Sequence, residues 1–112
     1  MRSPYDGAVF RSLKESDIEH VVSISEAHDS GLCAASANVR RLFARDLDNL
    51  ALATPRLNRY EKSGHDAAEW LPALNKCWYA RTIIAVRQEY RLTIDLREAK
   101  ALQAVLAACE SS

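Results

Sequence analysis

Two adjacent residues, Glu19 and His20, are of types that could activate water or bind a metal ion. They lie in the run 17–22, whose β-branched residues favour a strand. A carboxylate is a hard-oxygen ligand for a divalent cation, and an imidazole is the commonest general base near neutral pH. Neighbouring side chains of a strand point to opposite faces, so both reach one site only at a strand end or a bulge. The pair alone is weak evidence, because most Glu-His dipeptides have no catalytic role.

Two asparagines follow at positions where an orienting amide or an oxygen ligand would be useful. Asn49 opens the β-prone run 49–54, and Asn58 opens a polar cluster that contains Arg59 and Lys62. Each asparagine alone is typical of a turn or a helix cap. The order along the chain is the informative feature: acid and histidine, then Asn-Leu, then Asn-Arg with a lysine close behind.

These segments together resemble the HNH nuclease family, which has the ββα-metal fold. The bacterial branch carries an Asp-x-Asp/Glu-His-Val/Ile motif, an Asn-Leu strand, an Asn-Arg-x-x-Lys segment and a trailing Ala-x-Trp-Leu-Pro. The matching stretches here are 17–21, 49–50, 58–62 and 68–72, and the resemblance covers roughly residues 17–108. Asparagine at the last ligand position matches the HNN subtype. Glu19 stands where aspartate is commoner, which leaves the metal preference open.

The resemblance implies a reaction and a role for each matching residue. His20 would be the general base that takes a proton from the attacking water, and Asn49 would accept a hydrogen bond from its imidazole. Glu19 and Asn58 would hold one divalent cation, Mg²⁺ or Mn²⁺. The implied activity is that of an endonuclease that hydrolyses DNA phosphodiester bonds.

Nucleic acid, most simply DNA, is therefore the expected partner. The resemblance makes Arg59 and Lys62 candidates for phosphate contacts. Arg40, Arg41 and Arg45 lie on a predicted helix at spacings that share a face. The formal net charge is zero at pH 7, so bulk electrostatics does not point to nucleic acid. An ordinary solvated helix face explains Arg40 and Arg41 equally well.

Other metal-binding arrangements are weaker. His65 could be read as a third histidine, but Asn58 already fits that position. A zinc site made from His28, Cys33 and His65 matches no common ligand spacing.

The three cysteines, Cys33, Cys77 and Cys109, are widely spaced and form no Cys-x-x-Cys pair. Isolated cysteines are typical of small buried side chains in a reducing compartment. The sequence shows neither a signal peptide nor a run of about 20 apolar residues. We expect a cytoplasmic protein with no membrane segment; the oligomeric state is not predicted.

The secondary-structure elements predicted from the sequence indicate an α+β fold. We expect a mainly helical domain around a small β-hairpin and a following helix. We expect residues 1–112 to form a single HNH-like nuclease domain. Asp95 with Glu98 three residues later is typical of a helix start. The predicted elements are strands at 17–22 and 49–54, helices at 23–28, 36–48 and 75–90, a helix or turn around Asn58, and a last helix from Asp95 with an apolar stripe of Leu96, Ala99, Leu102, Leu106 and Cys109.

Two other functions are compatible with the sequence. One is a non-catalytic DNA- or protein-binding module that keeps the ββα-metal scaffold, which the neutral net charge favours. The other is a helical interaction domain in which Glu19 and His20 are incidental. Cleavage of nucleic acid and binding of a divalent cation distinguish the nuclease from both.

Overall fold

A computed structural model describes residues 1–110 of the 112-residue chain, so residues 111 and 112 of the expected domain lie outside it. The fold is α+β and mainly helical around one antiparallel hairpin, as the sequence predicts. The elements are β1 (Asp17–His20), α1 (Ile24–Asp29), α2 (Ala37–Ala44), β2 (Leu50–Ala53), a π-helical segment (Leu57–Lys62), α3 (Lys76–Glu89) and α4 (Leu96–Glu110).

The hairpin fixes which side chains of β1 face the interior. Its register runs from Asp17 opposite Ala53 to His20 opposite Leu50. Because side chains alternate along a strand, Glu19 lies on the inner face and is 3% exposed, whereas Ile18 is 59% exposed. His20, at the end of β1, is half-buried on the same face as Ile18. The Glu19 carboxylate and the His20 imidazole therefore leave opposite faces of β1, although the two residues are consecutive in sequence.

The two helices between the strands both begin at serine caps. The Ser23 hydroxyl accepts a hydrogen bond from the backbone N–H of Glu26, and that of Ser36 accepts one from Val39, which satisfies otherwise unpaired donors. α2 ends at Ala44, earlier than the predicted helix over 36–48. Phe43 is the buried residue of α2, whereas Leu42 is 50% exposed and Leu47, beyond the end of the helix, is 82% exposed.

The C-terminal helices supply most of the remaining core. α3 buries Tyr79, Ile83 and Val86, as its periodicity predicts. The predicted start of α4 is confirmed, because the Asp95 side chain accepts a hydrogen bond of 2.8 Å from the backbone N–H of Glu98. No helix among residues 1–110 has the length and apolar character needed to cross a membrane.

The inward face of α4 keeps most of the predicted stripe. Leu102 is buried, and Leu106 and Cys109 pack against the core, whereas Leu96 is 68% exposed. The same face also buries Glu98, whose Oε1 lies 2.7 Å from Nη2 of Arg87 in α3, and both side chains are nearly inaccessible. Burial raises the pKa of Glu98, and the positive charge of Arg87 opposes that shift.

A disulfide joins α3 to α4. The expectation of three isolated cysteines is wrong, because packing of the two helices brings Cys77 and Cys109 to a Cα–Cα distance of 6.0 Å, and their sulfur atoms are bonded. Sequence spacing gave no sign of this pairing, since the two residues are 32 positions apart. Cys33 is the free cysteine and is exposed rather than buried.

We expect the disulfide to contribute substantially to stability. Closing a loop of this length removes conformational entropy from the unfolded chain, which corresponds to roughly 3–4 kcal/mol in the chain-entropy model. Urea denaturation of Cys77→Ser/Cys109→Ser beside the wild type measures the effect. Cys33→Ser is the matched control and should leave the midpoint unchanged. Equal midpoints for the double variant and the wild type would show that the disulfide is energetically neutral.

Candidate functional site

A shallow groove runs between β1, the start of α1 and the π-helical segment. It brings together three of the four residues that the sequence singles out, namely Glu19, His20 and Asn58, while Asn49 lies outside its lining. The groove is lined by Ile18, Glu19, His20, Ser23, Ile24, Asn58 and Ser63.

The imidazole of His20 is held by a backbone carbonyl. Its Nε2 lies 2.8 Å from the carbonyl oxygen of Ala44, and the ring lies nearly parallel to Phe43, with an interplanar angle of 7°. A carbonyl oxygen only accepts hydrogen bonds, so Nε2 must carry the proton. In the neutral ring Nδ1 is then the nitrogen that can accept one. No side-chain motif could have identified Ala44, because it acts through its backbone.

Asn49 does not hold the imidazole, which corrects the predicted hydrogen bond. Its side chain is fully buried. Its Oδ1 accepts from the backbone N–H of Val22 at 2.8 Å, and its Nδ2 donates to the Val22 carbonyl at 3.0 Å. Asn49 therefore fixes the backbone at Val22, two residues after His20. It affects the site only by holding this stretch of main chain in place.

Glu19 is the centre of a buried polar network. Nζ of Lys62 lies 2.6 Å from its Oε1 and donates to the His20 carbonyl at 3.0 Å. The Tyr5 hydroxyl donates to Oε2 at 2.9 Å. Burial raises the pKa of Glu19, and the charge of Lys62 opposes that shift. Burial, and then the charge of Glu19, raise the pKa of Tyr5.

Lys62 is consequently not available to a phosphate. The predicted phosphate contact is wrong, because its side chain is 0% exposed and its ammonium group is committed to Glu19. The π-helical segment places it there: the backbone N–H of Ser63 donates to the carbonyl of Asn58, five residues back. This widened turn directs Asn58 and Lys62 toward β1, and such turns recur at functional sites.

Asp17 orients Asn58. Nδ2 of Asn58 donates to Oδ2 of Asp17 at 2.9 Å, and Arg59 binds the same carboxylate through Nε and Nη2, both at 3.1 Å. The hydrogen bond from Asn58, and then Arg59, lower the pKa of Asp17. The Arg59 side chain is 61% exposed and so can still meet a ligand. The sequence reading missed Asp17, although its place two residues before Glu19 puts it on the same strand face.

Glu19 and Asn58 both offer side-chain oxygen atoms of the kind that bind a divalent cation. Because Nδ2 of Asn58 is committed to Asp17, its Oδ1 is the free end of the amide, and within residues 1–110 it accepts no hydrogen bond. A carboxylate offers about four lone-pair sites, of which Tyr5 and Lys62 fill at most three. Both residues line the groove, and hard cations prefer such oxygen ligands. The positive charge of Lys62 beside Glu19 would weaken the binding of a cation there unless a further anion took part.

A second group of acidic residues lies outside the lining of the groove. Within residues 1–110, ligand atoms of Glu26, Asp66 and Glu69 lie within 4.8 Å of one another. Arg87 approaches Glu26 to 3.5 Å, and Asp66 already accepts the backbone N–H groups of Ala68 and Glu69. Burial, and then the charge of Asp66, raise the pKa of Glu26. Turn capping and one arginine account for this cluster, which contains no candidate base.

The other residues considered as metal ligands, His28, Cys33 and His65, lie outside the lining of the groove. Nδ1 of His65 lies 3.7 Å from Oε2 of Glu69, and its side chain is 48% exposed. The structure therefore gives no support to His65 as a third histidine of the groove. His28, Cys33 and His65 form no ligand group among the described residues. Arg40 and Arg41 line a separate recess that adjoins the groove at Ile24.

Comparison with known proteins identifies one matching family. Residues 2–105 match the family described as "GmrSD restriction endonucleases, C-terminal domain". No solved structure matches the chain.

A relative from Arthroderma benhamiae, described as "Uncharacterized secreted protein", is 36% identical over 110 residues. The match covers 96% of this chain and 54% of that protein, so the chain spans about half the length of its relative. The expectation of a cytoplasmic protein is contradicted by this secreted relative. The disulfide agrees with the correction, because disulfides persist in oxidising compartments.

Proposed function

Because the chain belongs to the family of GmrSD restriction endonuclease C-terminal domains, an HNH-like nuclease family, we propose that it is a metal-dependent endonuclease of the HNN subtype. The observation that carries this proposal is the convergence of Glu19, His20 and Asn58 on one groove. The substrate is nucleic acid, and DNA is the first to test.

His20 is the general base of the proposed reaction. With Nε2–H donating to the Ala44 carbonyl, Nδ1 takes the proton from the water that attacks phosphorus. Ala44 and Phe43 fix the direction of the ring, so the base does not have to be oriented in each turnover. Asn49 supports this arrangement by holding the backbone of Val22.

Glu19 and Asn58 would hold one divalent cation, Mg²⁺ or Mn²⁺. When bound, such a cation neutralises charge on the phosphate and stabilises the leaving oxygen. Lys62 and Tyr5 fix the Glu19 carboxylate, and Asp17 fixes the Asn58 amide. Since Lys62 already balances the charge of Glu19, we infer that the cation binds tightly only together with the substrate phosphate.

Arg59 is the phosphate-binding residue that the geometry favours most. Asp17 holds its guanidinium beside Asn58 through two hydrogen bonds, and most of its side chain remains accessible. Arg59 can therefore contact an oxygen of the scissile phosphate or of its neighbour.

We also propose that the protein acts outside the cytoplasm. The secreted relative and the Cys77–Cys109 disulfide support this location. An extracellular or exported nuclease of this kind would meet nucleic acid under oxidising conditions.

One observation favours a second candidate function, a nucleic-acid-binding module without catalysis. The buried ion pair with Lys62 removes the net charge of Glu19, which would also suit a scaffold that binds no cation. Such a module would bind DNA and cleave nothing.

Metal dependence is the test of the proposed function. We expect purified protein to nick or linearise supercoiled plasmid in Mg²⁺ or Mn²⁺, to stop completely in EDTA, and to recover when the cation is restored. Agarose gels of the plasmid forms report the result. Binding without cleavage in either metal would establish the non-catalytic module, and neither binding nor cleavage of DNA or RNA would reject both functions.

A further inference from the structure

A recess of about 330 Å³ adjoins the groove on the α2 side. Part of its wall is carbon, from Ile24, Ala37 and Ala44, and its polar residues are His28, Arg40 and Arg41. This volume is at the lower end of the range for small-molecule sites. It has the size and character to receive a flat, partly apolar group with an anion beside it.

Three contacts make the recess continuous with the base. Ile24 lines both the recess and the groove. Ala44 lines the recess while its carbonyl accepts from His20, and Phe43, also in the recess lining, lies parallel to the imidazole. A group bound in the recess would therefore lie next to the scissile phosphate, at which His20 is the proposed general base.

Among residues 1–110, the side chains that line the groove beside His20 include two isoleucines and neither a lysine nor an arginine. Ile18 and Ile24 are 59% and 41% exposed, and both line the groove. Lys62 is buried and the chain has no net charge, so Arg59, which is 61% exposed beside Asp17, is left to meet a phosphate on this side. Duplex binding depends mainly on several phosphate contacts, and this surface offers few. Affinity must come largely from the bases.

We propose, on the basis of the proposed nuclease function, that the recess binds an unpaired nucleobase next to the scissile phosphate. The substrate class is then single-stranded nucleic acid or an unpaired segment of a longer molecule. A base reaches the carbon wall only when it is out of the stack, because the faces of paired bases are covered by their neighbours. The exposed Arg41 side chain contacts the adjoining phosphate.

Binding in EDTA, where cleavage is prevented, tests this proposal. We expect fluorescence anisotropy to show about tenfold tighter binding of a labelled oligothymidine than of a hairpin duplex with the same number of phosphates, since burial of one base face against the carbon wall contributes about that much. Ala37→Glu places a carboxylate in the recess at the first residue of α2, where helices tolerate it. It should weaken binding of the single strand about tenfold.

The matched control is Ala34→Glu, which adds the same charge at an exposed position outside the recess lining. It should change affinity less than about twofold, and circular dichroism verifies that both variants fold. Equal affinity for the two oligonucleotides, or equal effects of the two variants, would overturn the inference. If plasmid is cleaved in the same preparation, the proposed function survives that failure. If nothing is bound or cleaved, both fail.

Discussion

Replacing His20 with alanine is expected to slow phosphodiester hydrolysis by about 10²–10⁴-fold, the usual contribution of a general base. The variant loses the nitrogen that accepts the proton of the attacking water, while Glu19 and Asn58 remain in place. The fold should be retained, because the imidazole is only half-buried and its main polar contact is the Ala44 carbonyl. Initial rates on supercoiled plasmid in Mg²⁺, with melting temperatures alongside, measure both effects.

His65→Ala is the matched control for that experiment. His65 is an exposed histidine whose partner is Glu69, outside the groove, so its removal should leave the rate within about twofold. Equal losses in the two variants would indicate that the rate responds to general damage. Full activity in His20→Ala would mean that the base lies elsewhere or that a contaminant cleaves the plasmid.

Replacing Lys62 with methionine is expected to lower the free energy of unfolding by about 3–5 kcal/mol, the usual cost of leaving one partner of a buried ion pair uncompensated. Lys62 is 0% exposed and Glu19 is 3% exposed, so water cannot replace the lost charge. The His20 carbonyl also loses a donor. Urea denaturation measures the change.

Two further variants separate the ion pair from a general packing effect. Lys100→Met removes an exposed lysine and should change stability by no more than about 0.5 kcal/mol. The double variant Lys62→Met/Glu19→Gln removes both charges and should recover much of the stability lost in Lys62→Met. A single variant as stable as Lys100→Met would contradict the buried-pair account, as would a double variant less stable than Lys62→Met.

Local pattern predicted much of the fold. The β-branched run that contains Glu19 and His20 forms β1, and the periodicity of Tyr79, Ile83 and Val86 identifies the buried face of α3. These features are set by residues close in sequence, so a single chain reveals them. The same approach found most of the inward face of α4 but missed Glu98, which is buried there against Arg87 of α3.

The sequence identified three residues that line the groove, but not the contacts that those residues make. Glu19, His20 and Asn58 do meet in the groove, whereas Asn49 binds Val22 and not the imidazole. The partner of His20 is the backbone of Ala44, which no residue type can signal. This contact depends on the position at which α2 ends. The helix predicted from the sequence ends at residue 48, whereas α2 ends at Ala44.

Buried charge was the hardest feature to foresee. Lysine is almost never fully buried, so nothing in the sequence argued against the phosphate contact that the resemblance implies for Lys62. Its burial requires Tyr5, 14 residues before Glu19, to complete the network around the carboxylate. The disulfide was missed for a related reason, because Cys77 and Cys109 meet only when α3 and α4 pack together.

Locating bound manganese is the most direct test of the central claim, that Glu19, His20 and Asn58 form a metal-dependent catalytic groove. The measurement is anomalous diffraction from crystals soaked with Mn²⁺ and a short oligonucleotide. The account predicts a manganese peak within coordination distance of Glu19 and Asn58, with a phosphate between that ion and His20. A peak at Glu26, Asp66 and Glu69 instead, or a phosphate bound without manganese in the groove, would contradict it.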